Sequence, residues 1–247
     1  MIEAATRASA AGLERELADA TPAAVVVAAR NAVAAGRLAV VSSFGTEAAA
    51  LLSIVAAVDR SIPVIFLDTG WLFEETIAYR DEVAARLELT DVRTITPAPA
   101  ALAERDPRRD LWFDHPDACC ALRKVEPLAR ALAPFDAWIN GRKRYHGAER
   151  LRLPVVETDG RRLKFTPLAR VSEAEIADVF RSSGLPRHPL AAAGYRSVGC
   201  MPCTSRTDPG EDFRAGRWRG RGKTECGIHS ALRTPAATLS DPSPQLR

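Results

Sequence analysis

Five cysteines carry the chemistry open to this chain. Cys119 and Cys120 are adjacent, Cys200 and Cys203 form a C-x-x-C, and Cys226 stands apart in Lys-Thr-Glu-Cys-Gly-Ile-His. Two thiolate pairs can bind one soft metal centre, either zinc or an iron–sulfur cluster. Neighbouring residues on a helix point about 100° apart. Adjacent cysteines therefore suit several iron atoms better than one tetrahedral zinc, and a 4Fe–4S cluster on Cys119, Cys120, Cys200 and Cys203 is the expectation. The plain alternative is buried, unligated thiols. Cys226 is left over, with His229 three residues on and Arg214, Arg217, Arg219 and Arg221 ahead of it. Nearby cations raise the thiolate fraction, which makes Cys226 a candidate nucleophile, although an incidental exposed thiol would show the same spacing. Arg123 and Lys124 follow Cys120 by three and four residues, on the next helical turn. There they would offset the negative charge of a cluster, or stand as an ordinary surface pair.

Three further stretches have the composition of an anion site. Ser42-Ser43-Phe44-Gly45-Thr46-Glu47 offers hydroxyls and backbone N–H groups at a helix start, with Ser42, Ser43 and Gly45 as the candidate contacts. It lacks the lysine of a P-loop. Leu67-Asp68-Thr69-Gly70 forms a second turn, and Gly141-Arg142-Lys143-Arg144, with Arg150 and Arg152 beyond, forms a basic loop. Each turn alone reads as an ordinary strand-to-helix connection. Together, at the ends of neighbouring strands, they predict a nucleotide pocket.

The elements that would position these turns follow from the hydrophobic pattern. Strands are predicted over 37–42, 62–67, 91–96 and 136–140, with a weaker one near 163–165. Helices are predicted over 46–58, 72–88, 118–132 and 172–181. Such alternation predicts an α/β fold with a mostly parallel, doubly wound sheet. Four regions emerge: a helical N-terminal segment over 1–36, the nucleotide-binding domain over 37–184, a cluster-binding and catalytic segment over 185–233, and a tail over 234–247 expected to be disordered. After Gly184 periodicity fades, and the metal rather than a core is expected to hold that region.

The bulk properties narrow the function classes. The 247 residues carry a net charge of +3, yet 141–170 holds nine Lys or Arg against three acids and 196–226 holds seven against four. Aromatics are sparse there and no nucleic-acid motif occurs, so a small anion is the expected partner rather than RNA or DNA. Met1-Ile2-Glu3 opens without a basic and then apolar leader, and no apolar run approaches a membrane span. A cytoplasmic location follows as an expectation, and with it metal binding rather than disulfides. Assembly of several copies is compatible with the sequence.

Taken together, S-S-F-G at 42–45, L-D-T-G at 67–70, C-C-x-x-R-K at 119–124, G-C-M-P-C-T at 199–204, R-A-G-R-W at 214–218 and K-T-E-C-G-I-H at 223–229 closely resemble the assimilatory adenylyl-sulfate (APS) reductases of the APS/PAPS reductase family. The resemblance spans roughly 37–229. It implies an adenine nucleotide α-hydrolase-like fold and a 4Fe–4S cluster on the two cysteine pairs. It also implies attack by Cys226 on the sulfur of APS. AMP leaves, an S-sulfocysteine remains, and thioredoxin or a similar dithiol releases sulfite. In that family the cluster acts electrostatically, with Lys124 as its linking cation. Arg214, Arg217 and His229 would grip sulfate and phosphate, helped by Arg142, Arg144 or Arg150. Leu67 would meet adenine through its backbone, and Gly141 would lie against the nucleotide. The stretch after S-F-G departs from related proteins in holding one acid, Glu47, where two are frequent.

The nearest rival is a reductase of the 3′-phosphorylated substrate (PAPS), or a dual-specific enzyme. PAPS reductases generally keep the nucleophile but lack the cysteine pairs, which favours APS. An ATP-pyrophosphatase-type adenylating enzyme would leave the Cys226 motif unexplained, and a zinc-stapled binding module would be colourless.

Overall fold

The computed structural model describes residues 2–229. The tail expected to be disordered, 234–247, lies outside the described residues. The chain opens with α1 (Ile2–Glu16) and α2 (Pro22–Asn31), followed by β1 (Leu38–Val41), α3 (Ala48–Val58), β2 (Val64–Leu67), α4 (Glu74–Arg86) and β3 (Val92–Ile95). Next come α5 (Pro99–Arg105), α6 (Leu111–Asp114), α7 (Pro116–Cys120), a π-helical turn (Ala121–Val125) and α8 (Glu126–Leu132). After β4 (Ala137–Asn140), β5 (Val156–Thr158) and β6 (Leu163–Phe165), the last helices are α9 (Glu173–Ser183) and α10 (Pro189–Ala192).

The six strands run in the order β3-β2-β1-β4-β6-β5, all parallel except β5, which pairs antiparallel with β6. Burial on both faces explains the near-continuous apolar strands. Leu38, Val40, Val64, Phe66, Ala137 and Ile139 point into one core with α2, α3 and α9. The alternate residues Ala39, Val41, Ile65 and Trp138 enter a second core against Leu128 and Leu132 of α8. The period of two along each strand thus divides one sheet between two helical layers. Val25, Val26 and Ala29 of α2 belong to the first core. The sheet and helices agree with the predicted α/β fold, and all five predicted strands form, within two residues at either end. The antiparallel β5 was not predicted, because Leu153-Pro154-Val155-Val156 is too short and proline-bearing to read as a strand.

The single helix predicted over 118–132 is three pieces. Glu126 donates its backbone N–H to Ala121 O, five residues back, where an α-helix would reach four. Pro127 supplies a cause: it has no N–H for the Arg123 carbonyl, and its ring crowds the preceding turn. The widened turn lies directly after Cys119 and Cys120, and π turns of this kind recur at functional sites.

Arg123, one reading of which placed it on the surface, is buried. Its guanidinium donates to Asp106 Oδ2 from NH2 at 2.6 Å and from Nε at 3.2 Å, and to Thr69 O from NH1 at 2.8 Å. This ties the π turn to the turn after β2. A second buried cluster joins the start of α3 to the basic loop. Glu47 accepts from Tyr145 Oη at 2.6 Å, His146 Nε2 at 2.9 Å and Lys143 Nζ at 3.0 Å. Burial works to raise the Glu47 carboxyl, but the His146 hydrogen bond and the charge of Lys143 outweigh it and hold it at about 2. Burial lowers His146 to about 4, with Glu47 offsetting it in part.

Two predictions follow from these clusters. Arg123→Met leaves the Asp106 carboxylate buried without its cation and should cost about 3–5 kcal/mol, read as a lower urea midpoint. The Glu47 and His146 clusters both make acid destabilising. Folded Glu47 and His146 take up protons only below the 4.5 and 6.5 of their ordinary ranges, so the unfolded chain binds more protons between. Their stabilisation is complete above about 6.5, and falls as pH drops toward 4 for His146 and from 4.5 toward 2 for Glu47. Urea midpoints should therefore fall from neutral to acid pH. The gap between the native chain and Glu47→Gln should narrow as pH drops below 4.5; a gap constant with pH would contradict the assignment.

Candidate active site

Strand order reverses direction between β1 and β4, whose carboxyl ends part into a crevice. The turns after β1, β2 and β4 meet there with the C-terminal segment around a cavity of about 210 Å³. Ser42, Ser43, Gly45, Leu67, Gly141, Arg142, Arg150, Arg214, Arg217, Lys124, Cys226 and His229 all line it. Arg144 does not: its Nε and NH2 donate to Leu153 O at 2.9 and 2.6 Å, bracing the loop instead.

The turn after β1 is held by local bonds. Phe44 has φ 46°, a left-handed conformation uncommon for a bulky residue, and donates its N–H to Ser42 Oγ at 3.2 Å. Its ring is buried edge-on against Phe66, at 5.5 Å between centroids, and this packing offsets the backbone strain. Gly45 has Val198 O only 3.4 Å from where a Cβ would stand. After β4, Asn140 donates to Phe165 O and Thr166 Oγ1, each at 2.9 Å. Its Oδ1 accepts from Arg142 N and Nε, aiming that guanidinium at Glu157, 2.5 Å from NH2. Asn140 was not singled out in the sequence, although its place as the last residue of a strand beside Gly141 marks it.

Cys120, Cys200, Cys203 and Trp218 form a buried cluster, with Trp71, Leu72 and Cys226 packed against it. All five cysteines are free thiols. Burial pushes the Cys119 thiol up to about 12, and the charges of Cys120 and Cys200 add to the rise. Burial likewise takes Cys120 to about 11 and raises Cys203. At Cys200 burial is outweighed by Lys124 and by a 3.2 Å contact with Thr69 Oγ1, and its thiol is lowered. Lys124 responds in kind: burial opposes its charge, but Cys200, Cys226 and Cys120 raise it. Lys124 thus lies between the cysteine cluster and the cavity it lines. These four cysteines are the residues chemically able to hold a soft metal centre. Among the described residues, no three His, Cys, Asp or Glu side chains are grouped so as to hold a single metal ion.

Arg217 runs along the boundary between the two regions. It lies over the Trp218 ring at 4.5 Å, and NH1 and Nε donate to Val198 O and Cys203 O at 3.4 Å each. A Cβ at Gly199 would overlap this guanidinium, so a side chain there would displace Arg217 from its present position. A β-bridge from Leu72 to Cys200 pins the segment to the domain, and a second, Thr204 to Arg217, closes the segment on itself.

The segment carrying Cys226 is docked into the cavity. Lys223 pairs with Asp117, and Thr224 Oγ1 donates to Glu149 Oε1 at 2.8 Å. The His229 ring stacks on Trp138, 5.6 Å apart and 5° from parallel, and its buried Nδ1 has no hydrogen-bond partner among the described residues. Burial, reinforced by Arg142 and Lys164, holds His229 well below its usual range, so the ring is neutral. Glu225, absent from the candidate residues, also lines the cavity. It accepts from Arg150 at 2.5 and 3.0 Å and from Arg214 at 3.4 Å. Burial works against its charge, but Arg150 and Arg214 prevail and lower its pKa. Arg214, buried beside Arg150, falls to about 10.

The arrangement joins a thiol, a neutral imidazole and several cations at a strand-end crevice. No helix among the described residues is long and apolar enough to cross a membrane. Residues 37–206 match the phosphoadenosine phosphosulfate reductase domain. The adenosine 5′-phosphosulfate reductase of Mesorhizobium japonicum is 48% identical over 222 residues, covering 90% of this chain and 87% of its own. The phosphoadenosine 5′-phosphosulfate reductase of Gloeobacter violaceus is 38% identical over 223 residues, covering 88% and 92%. The crystal structure of phosphoadenylyl-sulfate reductase from Candida auris superimposes with a TM-score of 0.67 at 24% identity, covering 79% of this chain and 96% of that one, and shares the fold. The family match over most of the sheet and the cysteine region, with relatives of this identity along nearly the whole chain, places this protein in the phosphoadenosine phosphosulfate reductase domain family.

Proposed function

We propose that the chain reduces adenylyl sulfate to sulfite and AMP through an S-sulfocysteine on Cys226. One observation carries the reading: Cys226 lines the same cavity as Ser42, Leu67, Gly141 and the arginines 142, 150, 214 and 217. Adenine would lie along the Leu67 backbone, and the phosphate by the Ser42–Gly45 turn and the basic loop. The Cys226 thiolate attacks the sulfate sulfur. The bond from that sulfur to the phosphate oxygen breaks, and the electron pair leaves with AMP. Arg214, Arg217 and Arg150 would balance the negative charge that grows on the leaving phosphate. His229, neutral and with Nδ1 unpartnered among the described residues, has a nitrogen to offer the substrate. A thiolate of thioredoxin or a similar dithiol then attacks Cys226 Sγ and expels sulfite. The second thiol closes the dithiol to a disulfide and frees Cys226, so the dithiol supplies both electrons. A cytoplasmic setting, where such dithiols are kept reduced, agrees with five free thiols.

A 4Fe–4S cluster on Cys119, Cys120, Cys200 and Cys203 fits the residues present. The donor set is four thiols, and Trp71 Nε1 and Trp218 Nε1 at the same cluster find no acceptor among the described residues, a role a sulfur-rich centre would fill. When bound, such a centre would place negative charge beside Lys124 and so tune the electrostatics of the cavity. The relative named for the 3′-phosphorylated substrate keeps PAPS as a second reading.

The first test is intact mass of the protein mixed with APS or PAPS and no reductant. We expect one SO₃ adduct on Cys226 with APS alone; adducts with both substrates would make the enzyme dual-specific, and none with either would reject the mechanism. Cys226→Ser should lose sulfite formation by roughly a thousandfold or more while keeping colour and nucleotide binding. Cys200→Ser or Cys203→Ser should instead lose visible absorbance and acid-labile sulfide. An unchanged spectrum would reject the ligand assignment.

A further inference from the structure

Four of the cations around the cavity, Arg142, Lys143, Arg150 and Arg214, are already matched to carboxylates. Arg142 pairs with Glu157 at 2.5 Å and Lys143 with Glu47 at 3.0 Å. Both acids belong to the body of the domain, at β5 and ahead of α3. Arg150 and Arg214 differ, because their carboxylate is Glu225, the residue immediately before Cys226. Arg150 presents Nε and NH2 side by side to the two Glu225 oxygens, the fork geometry that guanidinium also offers to a phosphate or sulfate. Arg150 also donates NH1 to His146 Nδ1 at 3.2 Å, and His146 is held by Glu47, so the arginine is fixed in place while its partner rides on the C-terminal segment.

We infer that Glu225 is an internal stand-in for the substrate's anionic group. Resting on the nucleotide-pocket reading above, its carboxylate holds Arg150 and Arg214 until a substrate phosphate or sulfate takes them in exchange. Because Glu225 adjoins Cys226, the exchange unfastens the chain at 224–226 and releases the thiol from its docked position against the cysteine cluster. The nucleophile thus shifts when the pocket fills and rests when it is empty. The cost is a weakened apparent affinity for the anion, since only the unlatched fraction of molecules can bind it. Arg214 also donates NH2 to Thr224 O at 2.8 Å, so both of its bonds to this segment are given up together. Thr224 to Glu149, Lys223 to Asp117 and the His229 stack on Trp138 hold the segment without these arginines.

The test uses the full chain as isolated, with AMP and adenosine as probes. Calorimetry of the native protein, Glu225→Gln and Glu149→Gln is paired with the rate of Cys226 alkylation by iodoacetamide, read by peptide mass. Glu225→Gln should bind AMP about tenfold more tightly and adenosine unchanged, the gain expected if about nine in ten empty molecules are latched. AMP, but not adenosine, should speed Cys226 alkylation in the native protein and add nothing in Glu225→Gln. Glu149→Gln loosens the segment without freeing an arginine, and its AMP affinity should not change. AMP binding that is equal or weaker in Glu225→Gln, with adenosine unchanged, would overturn the stand-in role and leave Glu225 a brace. The same tightening in Glu149→Gln, or AMP binding that leaves alkylation of the native protein unaltered, would overturn it too. A native protein that binds neither probe would reject the nucleotide pocket itself, a result distinct from these. Should Glu225→Gln fail to fold, Glu225→Asp keeps the charge but not the two-pronged reach; a smaller AMP gain supports the proposal and no gain overturns it.

Discussion

The structure depends on one constraint: β1 and β4 lie side by side, parallel, and buried on both faces. Each can then present its alternate residues only to a helical layer, and polar chemistry is left to the ends of the strands. At the carboxyl end the chain leaves β1 toward α3 and leaves β4 toward the basic loop, and the gap between those departures is the cavity. Apolar burial therefore decides where the site is, and the residues of the turns decide what it can hold. Leu51 shows the join between the two, since a Cβ on Gly141 would stand 3.4 Å from its side chain.

Around that crevice, positive charge is gathered and then compensated almost side chain by side chain. Glu47, Glu157, Glu225 and Asp106 each hold buried or half-buried cations. Removing both charges of such a pair from water is costly, so the geometry must be good on both sides. The consequence is orientation: the guanidinium groups are held at set angles before any anion arrives, which is the preorganisation that charge-stabilising sites require. Three of the four acids come from the domain body, and the fourth comes from the segment that carries Cys226. That difference is what allows charge compensation to be exchanged for a ligand.

The cysteine region uses a different device. A π turn at Ala121–Val125 interrupts the helix after Cys119 and Cys120, and Arg123 inside it reaches the turn after β2. Thr69, whose carbonyl takes that bond, places its hydroxyl on Cys200. One short path therefore connects both cysteine pairs to the strand ends that line the cavity. Lys124, the neighbour of Arg123, faces the thiols and the cavity together.

The sequence by itself determined a great deal: the α/β alternation, all five predicted strands, the turns at 42–45, 67–70 and 141–144, and the cysteines and arginines worth watching. These signals are local, since a buried strand must be apolar and a turn against an anion must be small or basic. Tertiary structure alone decided the pairings. Arg123 and Lys124 are adjacent and cationic, yet one is sealed against Asp106 and the other faces the thiols, because neighbours on a helical turn point to different sides. Arg142, Arg144 and Arg150 look equivalent in a basic loop, yet Arg144 is spent on the Leu153 carbonyl while the other two line the cavity. Glu47 and Glu225 looked incidental, and each proved to anchor cations brought from far along the chain. A residue's own type states which charge it carries; only the packing of distant segments states which partner removes that charge from water, and that partnership is what divides the structural residues from those left to meet a substrate.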